Sequence, residues 1–359
     1  MNANPMPDRN DPLRRIRDAL DHHGDGPHAK MEAVRNRYLR SGRDAVLRSN
    51  FDLLLRDLVE RKNPDAGPGE DPGRREANVL LLLGKSGAGK TRTFQRLLAT
   101  HPATIGYGEP GSDCPVLSVS APSPCGVKEL GRVVLAGTGY ELSRKNVSGP
   151  EIWSIVHNRL KALGIVILHV DEAQHATQLR DVSERQKLRN TIKALLVDPD
   201  HPVAVILSGL PEITDFIVPD VQLSRRSTAF ELPSIDLVKD LKMLKAAFAE
   251  FAKLAGLSIE EGADMTVLPR LVHAGDYRLG VIIEEIHGAI RNALDTKSKT
   301  LDLAHFSKAF EVRTGNAPEW NPYRRSDYKK VDVWRMIAHQ DHQDLDKKAG
   351  KADKGSKRK

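Results

Sequence analysis

Residues 84–91, Gly-Lys-Ser-Gly-Ala-Gly-Lys-Thr, constrain the fold of this chain more than any other stretch. They satisfy the spacing G-x-x-x-x-G-K-[ST] and follow directly on the apolar run Val-Leu-Leu-Leu-Leu at 79–83, so a buried strand must enter a glycine-rich turn that opens a helix. The residue types suit phosphate chemistry. Glycines let backbone N–H groups turn inward, and the following helix presents its positive end. Gly84, Lys85, Ser86, Gly87, Ala88 and Gly89 are therefore read as the cradle of a nucleotide, ATP. Lys90 is read as the contact to its β- and γ-phosphates and Thr91 as a ligand of Mg2+.

A second acidic element belongs with this loop. The run Ile-Val-Ile-Leu-His-Val at 165–170 ends in Asp171 and Glu172, which places two carboxylates at the C-terminal end of a buried strand. In a parallel sheet that end faces the same crevice as the phosphate loop. Asp171 is assigned to the metal side and Glu172 to polarising a water for attack on the γ-phosphate. His169 and His175 are expected to be packed or hydrogen-bonded, since no further ligands lie at metal-site spacing. The next apolar run ends in Ser208, the place for a polar residue that holds the attacking water. Arg225 and Arg226 precede a further strand, the position of an arginine finger that acts on a neighbouring subunit's nucleotide. Arg226 is preferred, with Arg225 left open. Arg278 opens a later helix and is read as a lid arginine that senses nucleotide.

Apolar strand-like runs at 79–83, 116–120, 165–170, 203–208 and 228–232 alternate with helix-like stretches at about 89–100, 126–140, 150–163 and 183–197. Such alternation predicts an α/β fold with a parallel five-stranded sheet flanked by helices. Residues 1–62 read as an N-terminal helical prelude, and 63–76 as a flexible linker rich in Pro and Gly. Residues 77–235 form the nucleotide-binding core, 236–312 a small all-helical lid domain without strand signals, and 313–359 an extension of little periodicity with a disordered Lys-rich tail.

Composition narrows the class without naming the function. Hydrophobic residues make up 40% of the chain and charged residues 29%, enough to bury a core. The net charge of +7 invites a polyanionic partner, yet residues 347–359 alone carry +6, so the remaining chain carries only +1. Two cysteines, Cys114 and Cys125, make neither a metal spacing nor a disulfide framework, and the N-terminus lacks an apolar secretory segment. A cytoplasmic protein is expected. No uncharged apolar run reaches membrane-spanning length, so no membrane role is expected either.

Taken together, the phosphate loop, the Asp171-Glu172 strand, Ser208, the arginine pair and the helical lid occur in the order found in the AAA+ family, which residues 75–295 resemble. Within that family the chain looks like the TniB/TnsC group of transposon-encoded ATPases, relatives of MuB. The phrases MEAVRNRYLRSGRDAVL, LLLLGKSGAGKTRTFQRLLATHP, VLSVSAPSPCGVKELGRVVLAGTGY, ILHVDEAQH and NPYRR carry the resemblance. It implies a P-loop NTPase of AAA+ type acting as an ATP-dependent regulator of DNA transposition. Such a protein assembles on double-stranded DNA as a homo-oligomeric ring or helical filament. It recruits a DDE-type transposase, works with a TniQ-type target selector, and hydrolyses ATP to control assembly. The resemblance also nominates Lys128, Arg132, Arg144 and Lys145 as facing DNA. The alternative is an AAA+ replication initiator or helicase loader. That reading calls for a winged-helix DNA reader after the lid, larger than residues 313–359 are expected to supply.

Overall fold

A strand buried on both faces has no polar side to show, so it reads as an unbroken apolar run. The computed structural model, which describes residues 27–60, 76–142 and 146–334, bears this out at the runs that frame the phosphate loop. Strand β1 (Val79–Leu83) is buried along its whole length, as is β4 (Ala204–Gly209), and β3 (Ile167–Asp171) emerges only at its final aspartate. With β2 (Val116–Ser120) and β5 (Ser227–Glu231) they form one five-stranded sheet in the order β2-β3-β4-β1-β5, every pairing parallel. In register, Leu83 pairs with Gly209 and Ser120 with Asp171, so the C-terminal ends of β1, β3 and β4 sit side by side.

The chain divides into two units, Arg40–Ser234 and a second made of Met1–Leu39 with Ile235–Lys359. The first holds the sheet. Helix α2 (Gly42–Glu60) belongs to it through Leu47, Phe51 and Leu54, and Phe51 meets Phe94 of α3 (Lys90–Thr100) edge-on with ring centroids 6.1 Å apart. Helix α3 turns Phe94, Leu97 and Leu98 inward, the spacing of a one-faced amphipathic helix. Helices α4 (Val127–Gly137) and α5 (Gly149–Ala162) cross closely at Gly131, where a Cβ would stand 2.6 Å from the Ile152 methyl. The Trp153 indole donates to the Val127 carbonyl at 2.8 Å and fastens the same crossing. Helix α6 (Val182–Val197) and the short α7 (Ile213–Ile217) and α8 (Val221–Arg225) complete this unit.

The second unit is helical. Here α1 (Pro27–Asn36), α9 (Leu241–Ala255), α10 (Ala263–Ala274), α11 (Leu279–Asp295) and α12 (Leu303–Thr314) share a core that includes Met31, Val34, Phe248, Phe251, Phe306 and Phe310.

Two expectations change. The helical prelude is not one element, because α1 packs in the helical unit whereas α2 packs on the sheet. The helical unit also contains a two-residue parallel ladder, Ser258–Ile259 with Thr300–Leu301, too short to leave a periodic signal. The described part of the extension packs on the helical unit. Asn321 is fully buried and donates to the Ser307 carbonyl and hydroxyl, Tyr323 packs against Phe306 and Phe310, and Arg324 binds Ser307 and Glu311. The NPYRR phrase is thus a clasp onto α12. The Lys-rich tail and most of the linker lie outside the described residues. Among the described residues no helix is long and apolar enough to cross a membrane.

Because Gly131 leaves no room for a side chain, Gly131→Ala is expected to cost about 1–3 kcal/mol through overpacking. Chemical denaturation monitored by tryptophan fluorescence checks this, and an unshifted midpoint would show that the α4–α5 crossing yields freely.

Candidate functional site

The phosphate loop needs backbone that side chains resist. Gly87 and Gly89 adopt φ of 75° and 94°, the left-handed region open to glycine, and the loop folds so that Ala88 N–H bonds to the Lys85 carbonyl at 3.1 Å. Helix α3 starts at once with Lys90, so its first-turn N–H groups point toward the loop. Lys90 is buried, and its ammonium donates to the carbonyls of Gly84 at 2.8 Å and Lys85 at 3.2 Å. The cation therefore hangs over the cradle, held by weak neutral acceptors that a phosphate would replace.

One residue further on, the Thr91 hydroxyl donates to Asp171 Oδ2 at 2.7 Å. The other carboxylate oxygen accepts from the Ser208 hydroxyl at 2.5 Å and from the Glu172 N–H at 3.0 Å. Burial alone would push the Asp171 carboxyl up. The bonds from Ser208 and Thr91, the neighbouring His169 and the Glu172 N–H outweigh it and hold the group below the usual carboxylate range. Two hard oxygens, one hydroxyl and one ionised carboxylate, thus meet beside the loop, the donor set that suits Mg2+. The residues fit that ion.

Glu172 sits at φ 55°, ψ 32°, left-handed backbone that is uncommon for a glutamate. Its carboxylate accepts from the side-chain amide of the buried Gln174, whose own carbonyl oxygen accepts from Leu210 N–H at 3.2 Å. Gly209 makes this possible, since a Cβ there would stand 2.1 Å from that carbonyl oxygen. Gln174 thus links the acid after β3 to the end of β4. Nothing in the local sequence signalled it, because the contact depends on the turn that Glu172 makes.

His169 is buried inside β3 and bonded at both nitrogens, Nδ1 to the Ser118 hydroxyl and Nε2 to the Ser208 hydroxyl at 2.8 Å. Burial pushes its imidazole down to about 4, against the pull of Asp171. His175 Nδ1 lies 3.2 Å from the Ala121 carbonyl, and no group of three metal-ligating side chains exists among the described residues. Cys114 and Cys125 are buried and unpaired, and burial raises the Cys125 thiol to about 12.

The arginine pair separates. Arg226 forks onto Glu76 through Nε at 3.2 Å and Nη2 at 2.6 Å, whereas Arg225 is exposed and makes no side-chain hydrogen bond or ion pair among the described residues. Both line a cleft of about 820 Å3 together with Asn190 and Lys193. Lys128 and Arg132 are exposed on α4, and Arg144 and Lys145 lie outside the described residues. In the helical unit, Arg278 N-caps α11. It is held by Asp276 at 3.0 Å and lies under the Trp334 ring, 3.9 Å from its centroid. Asp276 and Tyr277 just before it both take positive φ, 47° and 59°.

With this geometry in hand, comparison with known proteins locates the fold. Residues 69–237, a little under half of the chain, match the family described as bacterial TniB protein. No curated protein matches the chain. Among solved structures, Cdc6p from Pyrobaculum aerophilum is similar at 14% identity over 78% of this chain and 70% of that one, with a TM-score of 0.55. The Aeropyrum pernix ORC1 protein in complex with DNA matches at 14% identity over 78% and 68%, TM-score 0.53. Drosophila ORC bound to DNA matches at 14% over 89% and 72%, TM-score 0.52. At such identities the likeness speaks for the fold.

A histidine buried in neutral form binds fewer protons than it does in the unfolded chain between pH 4 and 6.5. Its contribution therefore makes stability rise with pH across that window and fall as pH drops toward 4. Denaturation midpoints measured from pH 4.5 to 7 are expected to climb less steeply in His169→Gln than in the wild type. Equal slopes would show that His169 titrates as if exposed.

Proposed function

We propose that this chain, an AAA+ protein whose residues 69–237 carry the TniB match, is an Mg2+-dependent ATPase that binds double-stranded DNA and regulates DNA transposition. The observation that carries the ATPase reading is the Asp171 carboxylate, bonded at once to the loop threonine and the β4 serine beside Lys90. The TniB match supports the transposition reading, and the DNA named with the Aeropyrum and Drosophila structures supports the DNA reading.

In the reaction Lys90 exchanges the Gly84 and Lys85 carbonyls for the β- and γ-phosphates, and loop N–H groups hold the remaining oxygens. Thr91 and Asp171 would hold Mg2+, which would offset the negative charge of the nucleotide phosphates. Glu172 releases Gln174 and takes the proton of the water as its oxygen attacks the γ-phosphorus, while the bond to the ADP oxygen breaks. Ser208 positions that water. Arg225, exposed and uncommitted, is the arginine finger toward a second copy, and Arg226 is its anchor through Glu76. This reverses the preference that spacing alone suggested, since a guanidinium forked onto a carboxylate is not free to reach a phosphate. Arg278 is retained as the nucleotide-sensing arginine on the strength of the resemblance. Assembly as a ring or filament, capture of a DDE-type transposase and a TniQ-type selector, DNA contacts by Lys128, Arg132, Arg144 and Lys145, and a cytoplasmic setting complete the proposal.

The test is binding to random-sequence duplex DNA across a salt series, with and without ATP. Binding is expected only with ATP and with a steep salt slope, because phosphate contacts release counterions. Lys90→Ala should abolish it, and Glu172→Gln should hold the protein on DNA while turnover stops. Absence of ATP-dependent binding at low salt sinks the DNA reading, whereas turnover unaffected by Glu172→Gln sinks the catalytic assignment. In the same ATPase assay Arg225→Ala is expected to lose about 10³-fold or more, the usual worth of an arginine finger. Arg226→Ala should lose far less, and the opposite ranking would return the finger to Arg226.

A further inference from the structure

A hydroxyl has one proton, and at Ser208 its direction is settled by its neighbours. Asp171 accepts at both carboxylate oxygens, from Thr91 at Oδ2 and from the Glu172 N–H at Oδ1, so the Ser208 proton goes to Asp171 Oδ1 across 2.5 Å. The 2.8 Å contact between Ser208 Oγ and His169 Nε2 must then be made by a proton on Nε2. This holds whether the imidazole is neutral or charged, since Nε2 is a donor either way. In the neutral ring Nδ1 becomes an acceptor and takes the Ser118 proton. The bonds therefore run one way across three adjacent strands, from Ser118 on β2 through His169 on β3 to Ser208 on β4, and end on Asp171. The ring is also fixed in place by Phe94, whose centroid lies 4.3 Å away.

We propose that His169 is a positioning residue for hydrolysis, donating from Nε2 to Ser208 so that the serine hydroxyl always directs its proton to the nucleotide side of the sheet. Without that donor Ser208 could turn its proton back between the strands, and it would then address neither Asp171 nor a water beside the γ-phosphate. Ser118 acts one step further back, by occupying Nδ1 and keeping the proton on Nε2. A phenylalanine would serve the contact with Phe94 as well, so packing alone does not call for an imidazole at this position. The inference rests on the reading of Ser208 as part of an ATPase site.

Two measurements test it. Nitrogen-15 NMR of histidine-labelled, nucleotide-free protein, with the His169 signal assigned by its loss in His169→Gln, should show the Nε2–H form at neutral pH. The Nδ1–H form would overturn the proposal. Steady-state ATP hydrolysis should show kcat about 5–10-fold lower in His169→Phe with KM for ATP within about twofold, the size of effect of one lost buried hydrogen bond. Part of that loss should be recovered in His169→Gln, whose amide can both donate and accept. Ser118→Ala, at a half-buried position, should lower kcat in the same direction and stands in if His169→Phe does not fold. Unchanged kcat in folded His169→Phe or in Ser118→Ala would also overturn the proposal. If the wild type hydrolyses no ATP, the ATPase reading fails, while the tautomer still decides whether His169 donates to Ser208.

Discussion

The site is organised by a single carboxylate. Asp171 gathers a hydroxyl from the helix after β1, a hydroxyl from β4 and the backbone N–H of Glu172, so three segments far apart in sequence converge on one charge. Each hydrogen bond to a charged group contributes about 1.5–3 kcal/mol. Collected on a partly buried anion, they fix the relative heights of β1, β3 and β4 at their C-terminal ends. The strand order makes this convergence geometrically available, because β4 lies between β1 and β3. A sheet paired in sequence order would put β2 rather than β4 between those strands, and Ser208 would no longer lie between the phosphate loop and Asp171.

Around that charge the polar groups are arranged to commit one another. Gln174 ties Glu172 to the backbone at Leu210, and Gly209 is bare so that it can. His169 ties Ser208 to Ser118. Glu172 and Ser208 are therefore each bonded to a further polar side chain, Gln174 and His169. Both links run through the end of β4, which makes that strand end the place where disturbance of one would be felt by the other.

Much of this was legible from local spacing. The phosphate loop, the acidic strand end and the five apolar runs are contiguous signals, and burial on both faces makes such strands the easiest kind to find. What escaped was set by partners distant in sequence. Periodicity in the first 62 residues reported that Met31 and Phe51 are each buried, but not that different units bury them. The fork of Arg226 onto Glu76 joins positions 150 apart, which the local pattern around the arginine pair does not carry. Gln174 and Trp334 likewise act through contacts that depend on a left-handed turn and on a clasped C-terminal segment, neither of which leaves a pattern in the chain. The Lys128 and Arg132 assignments rest on resemblance and exposure alone.

The division of the helical prelude also imposes an order in time. Helix α1 supplies Met31 and Val34 to a core whose other members, such as Phe248 and Ile286, are encoded roughly 200 residues later. At a synthesis rate of about 5–20 residues per second, this helix leaves the ribosome some tens of seconds before its partners exist. The sheet-bearing unit, contiguous from Arg40 to Ser234, can meanwhile complete its own contacts. During translation, then, the sheet-bearing unit can form ahead of the helical unit, while the apolar face of α1 must wait for the last third of the protein to be made.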